Sequence, residues 1–257
     1  MIDPALLSLI DALAAGREGP ALIGIAGAQG SGKTTLARAA AARLGGVALS
    51  LDDVYLTRAE RAGLARTVHP LLAVRGPPGT HDLDLANAVL DDLLAGRPAL
   101  LPRFDKLTDD RADPERSGGD ARVVLMDGWC LGATPQTAQA LATPVNALER
   151  ERDADGTWRS WVNAALAGPY QRFFGRFDAI VHLAAPGFDT VLDWRCEQEA
   201  GLLRLAPRDL PGERRGEIAR FIQHFERITR HMLAGGVAAT ATVRLDAGRG
   251  VIDIAST

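Results

Sequence analysis

The chain holds little that would tie it to an oxidising compartment, a membrane or nucleic acid. Of its 257 residues two are cysteine, Cys130 and Cys196, and they form no C-x-x-C pair. Two thiols in apolar or helical stretches predict reduced side chains in a cytoplasmic protein, not a disulfide framework. No apolar run approaches the ~20 residues of a membrane span. The apolar N-terminal stretch carries Asp3 and Asp11 and lacks a basic leading segment. It reads as an amphipathic helix, with Leu6, Leu7, Ile10 and Leu13 toward a core, rather than as a signal peptide. A formal net charge of −3 sets up no basic field, so neither nucleic acid nor a membrane is expected as partner. Aromatic residues make up 5%, which is thin for a stacking surface. Internal repeats and a clear linker are missing too. What remains, 47% hydrophobic and 24% charged, is the composition of an ordinary globular protein.

The most informative stretch is Ile23-Gly24-Ile25-Ala26-Gly27-Ala28-Gln29-Gly30-Ser31-Gly32-Lys33-Thr34-Thr35-Leu36. Gly27 to Thr34 matches G-x-x-x-x-G-K-[ST], the phosphate-loop pattern. A short apolar run precedes it and good helix formers follow, so strand, glycine loop and helix N-terminus come in the order an anion site needs. Glycines let backbone N–H groups converge on phosphate oxygens. Gly27, Gln29, Gly30, Ser31, Gly32, Lys33, Thr34 and Thr35 are therefore the candidate nucleotide contacts. Lys33 reaches the β- and γ-phosphates and Thr34 the Mg²⁺.

Downstream, residues 47–51 read as a second strand ending in Asp52-Asp53. Acids at the C-terminal end of a strand in an open α/β sheet lie where ligands bind, and one of them suits a base for a substrate hydroxyl. The plain alternative is that they cap the next helix. Arg75-Gly76-Pro77-Pro78-Gly79-Thr80-His81-Asp82 is a rigid turn carrying donors, with Asp82 also placed to cap a helix over 84–94. Residues 99–111, with Asp105, Lys106 and Arg111, read either as an exposed ion-pair loop or as a second anion clamp. Residues 122–129 form a buried strand whose Asp127 has the form of a magnesium-holding acid. Residues 133–159 look irregular and charged, a surface insertion. Residues 161–177 read as a helix interrupted at Gly168-Pro169, 178–183 as a strand, 188–205 and 217–233 as long helices, and 241–245 as a closing strand. Arg195 and Arg204 could cover a nucleotide as a lid; Arg195 could equally pair with Glu199 one helical turn on. Alternating strands and helices predict an α/β P-loop NTPase fold: a doubly wound, mostly parallel sheet with helices on both faces. It would be a single domain over 1–257, with a helix at 1–19 and a lid at 187–215.

These segments together resemble the plant-type D-glycerate 3-kinases, relatives of the uridine kinases, pantothenate kinases and phosphoribulokinases. The set is the phosphate loop, Ser50-Leu51-Asp52-Asp53-Val54-Tyr55-Leu56-Thr57, the Arg75 to Asp82 turn, Phe104-Asp105-Lys106 and Asp127-Gly128-Trp129. Later matches are Val162-Asn163, Tyr170, Asp178, Trp194-Arg195 and Gln198-Glu199, so the similarity runs over about residues 20–235. The resemblance implies that Asp52 is the base and touches the metal. It implies that the segment from Pro102 through Asp105 to Arg111 holds the acceptor, that Arg75, His81 and Asp82 contact it, and that Arg195 lies near a lid. Asp53, Tyr55, Lys106 and Trp129 join the acceptor set on the same ground. Two departures stand out. Asp127 replaces the family's usual Glu, so its shorter arm reaches Mg²⁺ directly or through a water. Leu107-Thr108-Asp109-Asp110-Arg111 replaces a serine and a G-x-G-D-R run.

The expected activity is ATP- and Mg²⁺-dependent phosphorylation of a small alcohol, D-glycerate first. Lys33, Asp52 and Arg195 are the catalytic candidates, and Thr34, Asp52 and Asp127 the metal candidates. The alternatives are a uridine- or pantothenate-type kinase and an ATP-binding regulator that transfers nothing. A GTPase is disfavoured because no N-K-x-D segment is present.

Overall fold

The computed structural model describes residues 2–256. In chain order its helices are α1 (Pro4–Ala14), α2 (Lys33–Leu44), α3 (Arg58–Thr67), α4 (Leu83–Leu94), α5 (Ala138–Ala142), α6 (Ala147–Arg152), α7 (Thr157–Ala165), α8 (Gln171–Phe174), α9 (Phe188–Leu202) and α10 (Gly212–Leu233). The strands are β1 (Ala21–Gly27), β2 (Val47–Ser50), β3 (Ala99–Asp105), β4 (Asp110–Ser117), β5 (Val123–Gly128), β6 (Ala179–Ala184), β7 (Ala241–Leu245) and β8 (Val251–Ser256). Six of them form one sheet in the order β2-β5-β1-β6-β7-β8, parallel except for β8.

β1, β5 and β6 are buried along their whole length, as apolar strands between two helical layers should be. Alternate side chains go to opposite faces. Ile23, Ile25, Leu125 and Val181 face a core built with α1, α2 and α9; Leu22, Val124, Met126 and Ile180 face a core built with α4, α7, α8 and the C-terminal half of α10. From β1 the chain runs to the edge strand β2, returns inward to β5 beside β1, then crosses to β6, β7 and β8 on the other side, and at this change of direction a crevice opens beyond the strand ends.

Four segments differ from the sequence reading. Residues 99–117 form a two-stranded antiparallel hairpin, β3–β4, separate from the main sheet. Pro102 within β3 and the charged run of β4 hid it, because proline and unalternated charge both argue against a strand. β8 was hidden likewise, since Ile252 and Ile254 face outward on an edge. Residues 133–159 are not an irregular surface insertion. They hold α5 and α6 and bury Asn146, Glu149 and Asp153. Arg227 of α10 donates to Glu149 through Nε (2.8 Å) and Nη2 (2.6 Å), and Arg159 Nη1 lies 2.9 Å from Asp153. A charged run reads as solvated until its partners, here from α10, are known. At Pro169 the helix is not broken. A π-turn over Leu166–Tyr170 absorbs the proline and carries the chain from α7 into α8. No helix among the described residues is long and apolar enough to cross a membrane, and Cys130 and Cys196 are buried and free.

Candidate active site

The loop between β1 and α2 turns tightly over the crevice. Gly30 and Gly32 have φ of +78° and +90°, the left-handed region that glycine enters without a Cβ penalty. A Cβ on Gly30 would also stand 2.6 Å from Trp194 Cβ of α9. Gly32 is the N-cap of α2 and no side chain caps the helix, so its first-turn amides remain open to an anion. The Ser31 hydroxyl and Gln29 Oε1 are buried in this loop without a partner. Lys33 Nζ folds back to 3.5 Å from the Ala28 carbonyl.

β2 and β5 deliver the acids. Ser50 and Asp127 are register partners, and Ser50 Oγ donates to Asp127 Oδ1 at 3.1 Å. The Thr34 hydroxyl is close enough to the same carboxyl to favour its ionised form. Burial raises the Asp127 pKa, with Lys33 pulling the other way and Asp52 adding to the rise. Asp52 stands in the short 3₁₀ turn after β2. It accepts from Tyr55 Oη at 2.6 Å and from Lys106 Nζ at 2.6 Å. Burial alone would raise Asp52, but the Lys106 and Lys33 charges and these hydrogen bonds outweigh it and hold the carboxyl well below the usual carboxylate range. Two neighbouring carboxyls pushed apart in this way divide into a permanent anion and a group that welcomes a cation. Thr34, Asp52, Asp127 and the unpredicted Ser50 form an all-oxygen donor set. That set fits Mg²⁺, which takes few protein ligands and keeps waters and phosphate oxygens.

These groups open on a cavity of about 170 Å³ lined by Gln29, Lys33, Thr34, Asp52, Tyr55, Arg75, Lys106, Trp129, Arg195, Gln198 and Phe225, among others. The chain contains only two lysines, and both are here. Of the two roles expected for Arg195, the pairing with Glu199 is present, Nη2 lying 3.0 Å from it, while Nη1 is buried beside the cavity without a partner. Arg204 does not join it; α9 ends at Leu202 and Arg204 is exposed. A second, wider cleft of about 690 Å³ lies on the other side of the loop, against Ser31, Gly32, Thr35 and the β7–β8 turn. There Arg249, itself at φ +71°, donates from Nε to the Gly30 carbonyl (2.6 Å), pairs with Glu197 (2.7 Å) and stacks on Trp194 at 5.0 Å. Nothing local in Ala247-Gly248-Arg249-Gly250 announces that contact, which joins residues 219 apart.

Five acceptor candidates are engaged in holding the walls. Asp53 accepts from the Phe104 amide (3.2 Å) and faces Arg103 (3.4 Å), tying the turn after β2 to β3. Asp82 caps α4 through the Leu85 amide (2.9 Å) and pairs with Arg111 (2.7 Å), whose Nε also reaches the Tyr55 carbonyl (3.2 Å). Asp105 bonds the Leu107 amide and the Thr108 hydroxyl at the hairpin tip. His81 lies behind Tyr55, ring centroids 4.8 Å apart. Its Nδ1 is 2.5 Å from Tyr170 Oη, which itself accepts from the Gly79 amide. Burial pushes the imidazole down to about 4 against the opposing charge of Asp52, so it is neutral at physiological pH. The cavity itself brings together Tyr55, Arg75, Lys106 and Trp129, whose Nε1 donates to the Gly76 carbonyl at 3.0 Å.

No protein-family model matches the chain. It is 33% identical over 223 residues to mug58, an uncharacterized kinase of Schizosaccharomyces pombe, covering 80% of this chain and 78% of that protein. The chain belongs to the P-loop kinases. A uridine kinase of Deinococcus deserti is 31% identical over 113 residues, 43% of this chain and 53% of that one. Among solved structures, the D-glycerate 3-kinase of Cryptococcus neoformans shares the fold with a TM-score of 0.79 at 21% identity, over 99% of this kinase and all of that chain. The resemblance read from the motifs is therefore upheld at the level of the family and its fold. The loop from Gly27 to Thr34 carries the phosphate-loop pattern of these kinases.

Proposed function

We propose that the chain is an ATP-dependent kinase for a small hydroxy acid, D-glycerate being the first candidate. The observation that carries this reading is the joint facing of Lys33, Asp52 and Arg75 into one cavity of about 170 Å³, below the ~300–1,000 Å³ of usual ligand pockets. That space suits an acceptor of a few heavy atoms. ATP phosphates would lie on the glycine loop, with the nucleoside in the wider cleft beside Ser31 and Thr35. Mg²⁺ would be held by Thr34 and Asp127, with Asp52 at its edge; when bound it neutralises phosphate charge. Asp52 accepts the proton of the acceptor hydroxyl as that oxygen meets the γ-phosphoryl group. Lys33 and the free Nη1 of Arg195 meet the negative charge that develops on the transferring group. The neutral His81 behind Tyr55 serves to hold the Tyr55 ring, and so the Tyr55–Asp52 hydrogen bond, in place.

A nucleoside acceptor is the second reading, favoured by Tyr55, Trp129, Phe221 and Phe225 around the cavity. Trp129 and Phe225 are however buried edge-to-face on each other at 5.0 Å, which leaves no open ring face between them for a base. A coupled ADP-release screen over D-glycerate, other hydroxy acids, uridine and pantothenate tests both readings. D-glycerate or another short hydroxy acid should be turned over, and Asp52→Asn should lower kcat at least ~10²-fold with nucleotide still bound. Turnover confined to uridine, or none above background hydrolysis, would overturn the hydroxy-acid reading.

A further inference from the structure

The hairpin tip between β3 and β4 sets one carboxylate against two guanidinium groups beside the small cavity. Asp109 sits at φ +57°, a conformation that a residue other than glycine adopts at some cost. Its carboxylate lies between two guanidinium groups. Arg61 Nη2 of α3 donates to Asp109 Oδ2 at 2.6 Å, and Arg75 Nη1 donates to Oδ1. The two guanidinium carbons stand 5.5 and 5.7 Å from the Phe104 ring centroid. Arg61 is wholly buried, and its Nε and Nη1 find no acceptor. The cluster thus carries two positive charges against one negative, with two dry donors to spare. It is also continuous with the catalytic cavity, because Arg75 lines both.

The same short tip carries Lys106, whose ammonium covers Asp52. One segment therefore puts an anion on the arginine pair and a cation on the base. A bound hydroxy acid needs those two places for its carboxylate and its hydroxyl. Leu107 at its apex is 97% exposed and β4 is largely solvated on a sheet of two strands, while Arg61 Nη2 also donates to the Asp109 carbonyl (2.9 Å) and Arg111 ties the base of the tip to Asp82. We infer that Asp109 occupies the carboxylate subsite of the acceptor, between Arg61 and Arg75, and that a short hydroxy acid displaces it and draws Lys106 off Asp52. Carboxylate replaces carboxylate, so the buried Arg61 and the partly exposed Arg75 exchange one anion for another and are not left unpaired. The inference rests on the hydroxy-acid reading above and extends it to the residues that select the acid group. It lies where the chain departs from the G-x-G-D-R run of the family it resembles.

Asp109→Asn tests it, since Asn also tolerates positive φ but brings no charge. Calorimetric titration without nucleotide uses D-glycerate, malonate as an acid without the hydroxyl, and glycerol as an alcohol without the acid. Both acids should bind D109N about tenfold more tightly than the unaltered chain, with glycerol binding no more tightly. Adding Arg61→Gln to D109N should cancel the gain. Asp109→Ser serves as a second variant if D109N folds poorly. Equal affinity of the acids for D109N and the unaltered chain, or no binding to either, would overturn the inference. Tighter acid binding without any turnover would leave the subsite standing and remove the kinase acceptor; turnover of glycerate with unchanged affinity would do the reverse.

Discussion

Asp52 and Lys106 form the contact on which the acid side of the pH profile turns. Burial pushes Asp52 up; Lys106, Lys33 and the Tyr55 hydroxyl together push it further down. A carboxyl with a depressed pKa stays ionised over the working range, so its protonation does not limit the unaltered enzyme near neutrality. Lys106→Met removes the nearest positive charge and leaves burial opposed chiefly by Lys33. The Asp52 pKa then rises, and the acid limb of kcat/KM moves to higher pH, each tenfold gain in proton affinity corresponding to about 1.4 kcal/mol. A pH–rate profile reads this directly, and superimposable acid limbs in the two proteins would exclude the coupling. Position at a strand end beside a phosphate loop made Asp52 and Asp53 base candidates, and the family resemblance singled out Asp52. Its lysine partner was legible only as one charge in an ambiguous loop, since the contact spans 54 residues.

At the scale of elements, the glycine loop is held from outside as well as by its own turns. Trp194 of α9 packs on Gly30, Trp194 Nε1 donates to the Ala247 carbonyl (2.7 Å), and Arg249 of the β7–β8 turn donates to the Gly30 carbonyl. These contacts link α9, the β7–β8 hairpin and the phosphate loop. Arg249→Met removes a charge-assisted hydrogen bond worth about 1.5–3 kcal/mol. Nucleotide KM should rise about tenfold with acceptor KM nearly unchanged, because the turn borders the wide cleft and not the small cavity. Steady-state kinetics with each substrate varied separates the two; a parallel rise in acceptor KM would refute the assignment. The hairpin β3–β4 is the element that sequence periodicity missed, and it carries Lys106 and Asp109, on which the proposed acceptor site depends.

For the whole molecule, burial of histidine contributes to the response to acid. Burial lowers His81 and His182 to about 4 and lowers His224 and His231 in the same direction. Unfolded, a histidine binds its proton near pH 6.5, so between about 6.5 and 4 the unfolded chain holds more protons than the folded one. Stability from these groups is complete above that window and falls as pH drops through it, by at most ~1.4 kcal/mol per pH unit for each histidine. The His182 Nδ1 is buried in β6 without a partner, so His182→Leu removes one such proton site. Urea midpoints at pH 7 and pH 5 should differ less in His182→Leu than in the unaltered chain. An identical drop in both would show that His182 is not among the groups responsible.

The sequence alone determined the glycine loop, the three buried strands beside it, the acids at two strand ends and hence the class of chemistry. Each of these is written in a few consecutive residues, because a phosphate cradle, a helix start and an apolar strand are local devices. Tertiary structure decided which of those residues face the reaction. It turned Asp53, Asp82, Asp105 and Arg111 into struts and brought Ser50 onto Asp127 through strand register. It also buried Glu149 under Arg227 and set Arg249 on the phosphate loop. Ion pairs across tens to hundreds of residues leave no periodic trace, since what fixes them is the mutual position of folded elements. Asp109 between Arg61 and Arg75 belongs to that second kind, and so does the acid specificity inferred from it.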